Sequence, residues 1–398
     1  MQDFRMTNEY YDENPRLSLS CIVVAAVFFI VLSQILFERV PDALTLTFRP
    51  LIIFLLVVKA LQSGSLRFAA RNIALATAAY FALVLVLNDW NADEFMNGGA
   101  AVLYVLMFWA VVGTGWSKAE VRFILFACFA ASVVCAAIMF YYNPYNDLSV
   151  ARDGTMIFNG AYINRNKNAY PFGMAALIGI AYLLKGGRHK LVFGAATLFV
   201  AYALMYSQCR GAFFCTVAGV LILLLSEIRA IYKKNPAKAT LFAVLMILAF
   251  AAGYIAIKNS DFSRLVDSDS TSGRETGIRN AWNMFLGSDL FGKIFGSGFM
   301  YEQLHSDTVG AHLVYLTLLV STGLIGMTLV VLIFASTFRR VRGDIPLALC
   351  SFAFVRTFFE GMDYYIYIPL ILGTIIFNCF ELNGRSCNEL FAVKKRLN

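Results

Sequence analysis

Ala239-Thr-Leu-Phe-Ala-Val-Leu-Met-Ile-Leu-Ala-Phe-Ala-Ala-Gly-Tyr-Ile-Ala-Ile257 runs nineteen residues without a charge, with Lys233, Lys234 and Lys238 just before it and Lys258 just after. A bilayer core of about 30 Å takes roughly 20 apolar residues as a helix, so the stretch reads as a transmembrane segment. Similar stretches recur along the chain. Spans are expected near 17–36, 44–61, 70–87, 98–116, 121–142, 168–184, 190–206, 210–228, 239–257, 311–335, 345–359 and 364–382. The second contains Arg49, and the eleventh is short and contains Arg356. About twelve spans place both termini on one side.

Composition agrees with that layout. Of 398 residues, 59% are hydrophobic and only 15% are charged, and mean hydropathy is +0.67. Soluble domains carry roughly 25% charged residues, and so much apolar side chain leaves too little polar surface to cover a water-soluble fold. Disorder, collagen and coiled coil are excluded on the same ground. The formal charge is +8. In a chain of spans this balance concerns topology before nucleic acid, and no nucleic-acid partner is expected. With the N-terminus inside, 21 of the 33 Lys and Arg residues fall on inner segments, chiefly at Lys185–Lys190, Arg229–Lys238 and Arg339–Arg342. Asp89–Glu94 falls outside. This asymmetry sets the expected orientation, with both termini cytoplasmic. Residues 1–16 lack the basic start of a signal peptide, and Ser33-Gln-Ile-Leu36 is no small-x-small cleavage site. The first apolar run is read as a retained anchor.

The expected fold is therefore an all-α integral membrane protein, one domain over 1–398, with two long outer loops at 143–167 and 258–310. Long loops on one face are usually functional. The larger contains a helix near 273–286. Ser272-Gly-Arg-Glu275 has capping-box spacing, and Ile278, Trp282 and Phe285 follow on one face, with Arg279, Asn280 and Asn283 elsewhere. Trp and Phe on the apolar side suit a helix lying flat at the outer interface. The eight cysteines form no C-x-x-C and mostly lie in apolar runs, where they pack as small hydrophobes. Cys209 and Cys215 flank an outer boundary, where a disulfide is open to them.

Charges near a bilayer are costly and mark function by default. Arg49, Arg210, Arg274 and Arg356 are so placed. Arg210 opens the eighth span, in Ser207-Gln-Cys-Arg-Gly211, and Arg274 stands in the first turn of the loop helix. A cation there opposes the helix dipole, whereas an anion bound at that N-terminus is favoured by dipole and guanidinium together. The plain alternative for each arginine is snorkelling or a salt bridge. For Arg356 the partner would be Glu360, four residues on. His312 opens the tenth span and is a candidate base, with His305 as its rival and a structural role as the plain alternative. His189, in a basic inner turn, is read as solvated. Two guanidiniums and a base on one face suggest chemistry on a phosphate-bearing lipid at the outer leaflet.

Other signals carry less. Gly296-Ser-Gly298 follows no strand and precedes no G-K-[ST], so nucleotide binding is not expected. Asp267-Ser-Asp269 reads as turn chemistry before a helix. H-E-x-x-H, a Cys/His cluster and a nucleophile elbow are absent from the sequence, and no metal or other cofactor is expected.

Taken together, the short motifs over roughly 160–380 resemble the O-antigen ligase and polymerase superfamily. Cys209-Arg-Gly-Ala212 is similar to its S-R-G-A stretch, and Ser272-Gly-Arg274 with Ile278 and Trp282 to its loop arginine and helix. Phe295-Gly-Ser-Gly298 resembles its G-x-G turn. Gly310-Ala-His312, Tyr315-Leu316 and Gly323-Leu-Ile-Gly326 resemble its G-x-H-N-x-x-L…G-x-x-G signature. Asn164-Arg-Asn-Lys-Asn168 and Phe354-Val-Arg356 to Glu360 are similar to further elements, the latter one seen in ligases. Cys209 stands where the family has serine, and Leu313 where it has asparagine.

The resemblance implies a C-type glycosyltransferase-like enzyme of the bacterial inner membrane, working at the periplasmic face on an undecaprenyl-diphosphate-linked glycan. Arg210 and Arg274 would hold the diphosphate and stabilise its charge without a metal, and His312 would orient or deprotonate the acceptor hydroxyl. Arg279, His305, Arg356, Glu360 and Arg49 are secondary candidates. Ligation to lipid A–core is the leading expectation, tilted by the Arg356…Glu360 element. A polymerase or a glycan-to-protein ligase would share the donor chemistry. A secondary transporter or lipid flippase would instead show two related halves with charges near the midplane. The sequence does not give the oligomeric state.

Overall fold

The computed structural model describes residues 18–34, 54, 56, 69–88, 92–142, 148–150, 156–158, 165–186, 189–260, 262–266, 274–299, 313–359, 364–380 and 390–391. Thirteen α-helices lie among them. The first four are α1 (Leu19–Gln34), α2 (Ala69–Leu87), α3 (Ala92–Val112) and α4 (Lys118–Tyr142). Next come α5 (Arg165–Leu184), α6 (Lys190–Tyr206), α7 (Arg210–Tyr232) and α8 (Pro236–Lys258). The last are α9 (Arg274–Gly287), α10 (Leu290–Phe295), α11 (Val314–Arg340), α12 (Asp344–Arg356) and α13 (Tyr364–Phe380).

Helices occupy eleven of the twelve stretches expected to cross the membrane. The remaining one, 44–61, lies outside the described residues apart from Phe54 and Leu56, as does Arg49. Four helices are long and apolar enough to cross by length and composition: Lys118–Tyr141, Arg210–Tyr232, Pro236–Lys258 and Val314–Arg340. Large apolar side chains stand exposed on the helix surfaces, among them Leu191, Leu198 and Ile247. In water such surfaces would associate, whereas lipid is their natural solvent, and the chain is a multi-pass membrane protein. One small departure from an all-α chain is an antiparallel pair, β1 (Leu148–Val150) with β2 (Met156–Phe158), in register Leu148 to Phe158.

Local chemistry explains several helix starts. Ser117 and Glu120 form a reciprocal capping box at α4, with Ser117 N donating to Glu120 Oε2 (2.8 Å) and Glu120 N to Ser117 Oγ (3.2 Å). Ser18 also hydrogen-bonds Glu120, which ties α1 to α4. Asn235 caps α8 by accepting from Lys238 N (3.0 Å), with Pro236 in the first turn, where no amide is needed.

One contiguous apolar core joins α1–α7 to α11–α13. Helix α8 stands outside it and buries only Ala239. Helices α5, α7 and α12 approach closely through glycines, as helices in lipid do. Gly173 faces Thr216 and Phe352, and Gly219 faces Leu177 and the Ala348 carbonyl. A methyl group at Gly219 would stand 2.7 Å from Leu177.

Helix α11 is broken. Gly323 has φ 65° and ψ −171°, and the turn Gly296–Gly298 seats in the gap. Ser297 N donates to Val320 O (3.0 Å) and Gly298 N to Ser321 O (3.1 Å), so carbonyls freed by the break are paired again. The turn is wedged further by Phe299, edge-on to Phe81 of α2 at 5.4 Å. Near the start of α2, Arg71 is 7% exposed and lies over Trp109 (4.9 Å) at the C-terminal end of α3, where the helix dipole favours a cation.

Candidate functional site

The chain passes from α6 to α7 in three residues. Ser207 N donates to Ala203 O and Gln208 N to Met205 O, each at 3.0 Å, which closes α6. Gln208 then takes a left-handed φ of 49°, unusual for a residue with a side chain. Cys209 is extended (φ −84°, ψ 101°) and its thiol makes no capping hydrogen bond. Arg210, half-buried, opens α7. A strained turn directly before a boundary arginine is a local mark of function. Cys209 and Cys215 are both buried and are not joined in a disulfide.

Gly211 makes the next contact. A Cβ there would stand 2.3 Å from the Tyr170 hydroxyl and 2.8 Å from Phe359 Cβ, so glycine admits both side chains against the first turn of α7. The Arg356 guanidinium lies 4.3 Å from the centre of the Tyr170 ring and is 1% exposed. Arg356, Tyr170 and Gly211 thus run in contact from α12 through α5 to α7, one residue from Arg210. Helix α12 ends at Arg356, and the turn after it is closed by Thr357 N to Phe354 O (3.1 Å) and Phe359 N to Arg356 O (2.9 Å). Glu360, the expected partner of Arg356, lies outside the described residues.

The start of α11 is tied to the same place. Val314 N donates to Thr357 O (3.0 Å), and Thr357 Oγ1 shares a 3.1 Å hydrogen bond with the Tyr315 hydroxyl. His312 precedes Val314 by two residues and, with His305, lies outside the described residues. Arg274 is the first residue of α9, and its side chain is likewise not described. Helix α9 packs Ala281, Met284 and Phe285 on Leu316 and Val320 of α11 and on Leu313 just before it. Ile278 and Trp282 remain exposed, and the Trp282 ring lies 5.8 Å from that of Phe285, on the same side of the helix. Arg279 pairs with Glu275 (3.5 Å) with both side chains largely exposed, away from these contacts. Among the described residues, no group of three or more His, Cys, Asp or Glu side chains is placed to hold a metal.

At the opposite ends of α5, α7 and α12 stands a cluster that the sequence reading missed. Lys185 ion-pairs with both Glu227 and Asp344, and Ser226 donates to Asp344 (3.3 Å). Burial lowers the Lys185 value, but hydrogen bonds to Asp344 and Glu227 outweigh it, leaving it above the ordinary lysine value. The available signal was two carboxylates on a face otherwise rich in Lys and Arg.

Residues 195–331, from within α6 to beyond the break in α11, match a family model described as O-antigen ligase. This match supports the O-antigen ligase superfamily. No curated protein matches the chain. The O-antigen ligase segment contains the Gln208 turn, Arg210, α9 and both partners of the Gly296–Gly323 contact. Tyr170, Arg356 and Lys185 lie beyond it. The match supports a membrane enzyme of the O-antigen ligase or polymerase type.

Proposed function

We propose that this protein transfers a glycan en bloc from an undecaprenyl-diphosphate carrier to a hydroxyl of lipid A–core, at the periplasmic face of the bacterial inner membrane. The observation that carries the reading is Arg210, presented by a left-handed turn at the start of α7 inside the O-antigen ligase segment. In the reaction the bond between the anomeric carbon and the diphosphate oxygen breaks, and a bond from that carbon to the acceptor oxygen forms. The electron pair leaves with the undecaprenyl diphosphate. Arg210 and Arg274 hold that diphosphate and stabilise the charge that develops on it, the part a divalent metal plays in other transferases. His312 takes the acceptor proton. Arg356 sits behind Tyr170 and supports the arrangement from within the bundle, and α9 lies along the periplasmic interface. Both termini are cytoplasmic.

Purified protein, lipid-linked glycan and lipid A–core acceptor test the chemistry directly. Arg210→Ala, Arg274→Ala and His312→Ala should each abolish transfer while accumulating normally in the membrane. Full activity in His312→Ala would move the base to His305 or remove it. Deleting the gene separates ligation from polymerisation. Long polymer still on the carrier, with none on lipid A, supports ligation. Single repeats on lipid A would overturn it in favour of a polymerase.

A further inference from the structure

Tyr80 lies in α2, well before the O-antigen ligase segment. Its hydroxyl donates toward carbonyls of two separate elements, Phe295 O at the end of α10 (3.0 Å) and Thr322 O in α11 (2.9 Å). These two carbonyls flank the contact between the Gly296–Gly298 turn and the break. The contact has no slack. A Cβ on Gly296 would stand 2.3 Å from Ser321 O, and one on Gly323 would stand 2.3 Å from Ile294 O.

The break has a mechanical consequence. An unbroken helix fixes the direction of its first turns through its own hydrogen bonds, but Val314–Thr322 is cut from that continuity at Gly323. This half-helix is directed by the contact at the break, by its bonds to Thr357 at the start and by α9 packed along it. It begins two residues after His312. The turn on the other side of the contact belongs to α10, which follows α9, the helix that Arg274 opens. A single phenol thus joins α10, which follows the helix that Arg274 opens, to α11, which begins two residues after His312.

We propose that Tyr80 is a positioning residue for glycan transfer: its hydroxyl latches the Gly296–Gly298 turn to the broken α11, so that the half-helix that follows His312 and the turn that follows the helix of Arg274 keep one arrangement. The inference rests on the proposed function above, because it gives those two residues their roles.

Tyr80→Phe removes one oxygen and keeps the ring. We expect kcat to fall about tenfold, with KM for the lipid-linked donor kept within about twofold, since misplacing a reacting group by a fraction of an ångström acts on the chemical step. Hydrogen exchange at the Ser297 and Gly298 amides, which donate across the contact, should speed up about tenfold. Replacing Tyr80 by 4-aminophenylalanine, whose N–H groups can donate to the same carbonyls, should restore both. If Tyr80→Phe does not accumulate, the 4-aminophenylalanine protein is read alone: kcat and exchange near those of the parent support the latch, and loss of either overturns it. Unchanged kcat in an accumulating Tyr80→Phe also overturns it, whatever the exchange rates do. Failure of the proposed function is seen separately, as full activity in Arg210→Ala and His312→Ala measured beside it.

Discussion

Replacing Gly323 by alanine tests the broken helix most directly. At φ 65° and ψ −171° the residue occupies a region open almost only to glycine, and a side chain there costs about 1–3 kcal/mol. The added methyl would also stand 2.3 Å from Ile294 O, 2.5 Å from Ile294 C and 2.7 Å from Gly296 N. All three are backbone atoms, so the turn itself must move, and overpacking of this kind costs about 1–3 kcal/mol more. The two together come to about 4 kcal/mol. An unfolding entropy of about 2.1 cal/mol/K per residue over the whole chain converts that to a melting temperature lower by about 5 °C. The assay heats detergent-purified protein and measures the monodisperse fraction left on a sizing column. Gly253→Ala is the control, since a Cβ there meets nothing within 4 Å and α8 is helical throughout. It should melt at or slightly above the parent. If Gly323→Ala melts within about 1 °C of the parent, residue 323 is helical and the turn is not seated in α11.

Three further outcomes follow from particular contacts. Gly211→Ala should displace Tyr170 from Arg356 and lower transfer more than tenfold, while melting falls by only about 1–3 kcal/mol equivalent, read by paired activity and melting measurements. Lys185→Met leaves Glu227 and Asp344 facing each other and should cost about 3 kcal/mol of stability. Because the Lys185 value is raised in the folded protein, its contribution is complete below the ordinary lysine value and is lost only as pH rises through the folded one. The melting gap between parent and Lys185→Met should therefore stay level from about pH 6 to 9. Glu120→Ala removes the capping box at α4 and the tie to Ser18, and should lower stability by about 1 kcal/mol.

Helix positions were legible because apolar runs of bilayer length are bounded by charges. The stretch 239–257 shows this, and the helix there runs Pro236–Lys258. The break in α11 was not legible. Val320-Ser-Thr-Gly-Leu-Ile-Gly326 continues an apolar run, and the reason for Gly323 is a turn distant in sequence. Read locally, Gly296-Ser-Gly298 could only be weighed as a nucleotide signal or as a family motif. Its physical need for glycine arises from the opposing Ser321 carbonyl. Arg210 stood out because a charge at a span boundary is conspicuous in one dimension, whereas Tyr170 and Tyr80 are ordinary aromatics in apolar helices. Nothing but tertiary packing separates them from their neighbours. Lys185 was counted only as one more inner cation, since basic-residue counting treats each charge singly and ignores the acids beside it.

The Lys185 cluster gives the bundle a lever. It fastens α5, α7 and α12 at the ends farthest from Tyr170, Arg210 and Arg356, so any tilt of these helices would turn about a common base. At about 1.5 Å per residue, the 17 steps from Arg210 to Glu227 make an arm of about 26 Å. A tilt of only about 4° at the base would swing Arg210 by nearly 2 Å, enough to lose the proposed bidentate grip on a diphosphate. A salt bridge that touches no substrate thus governs how steadily the far tip points.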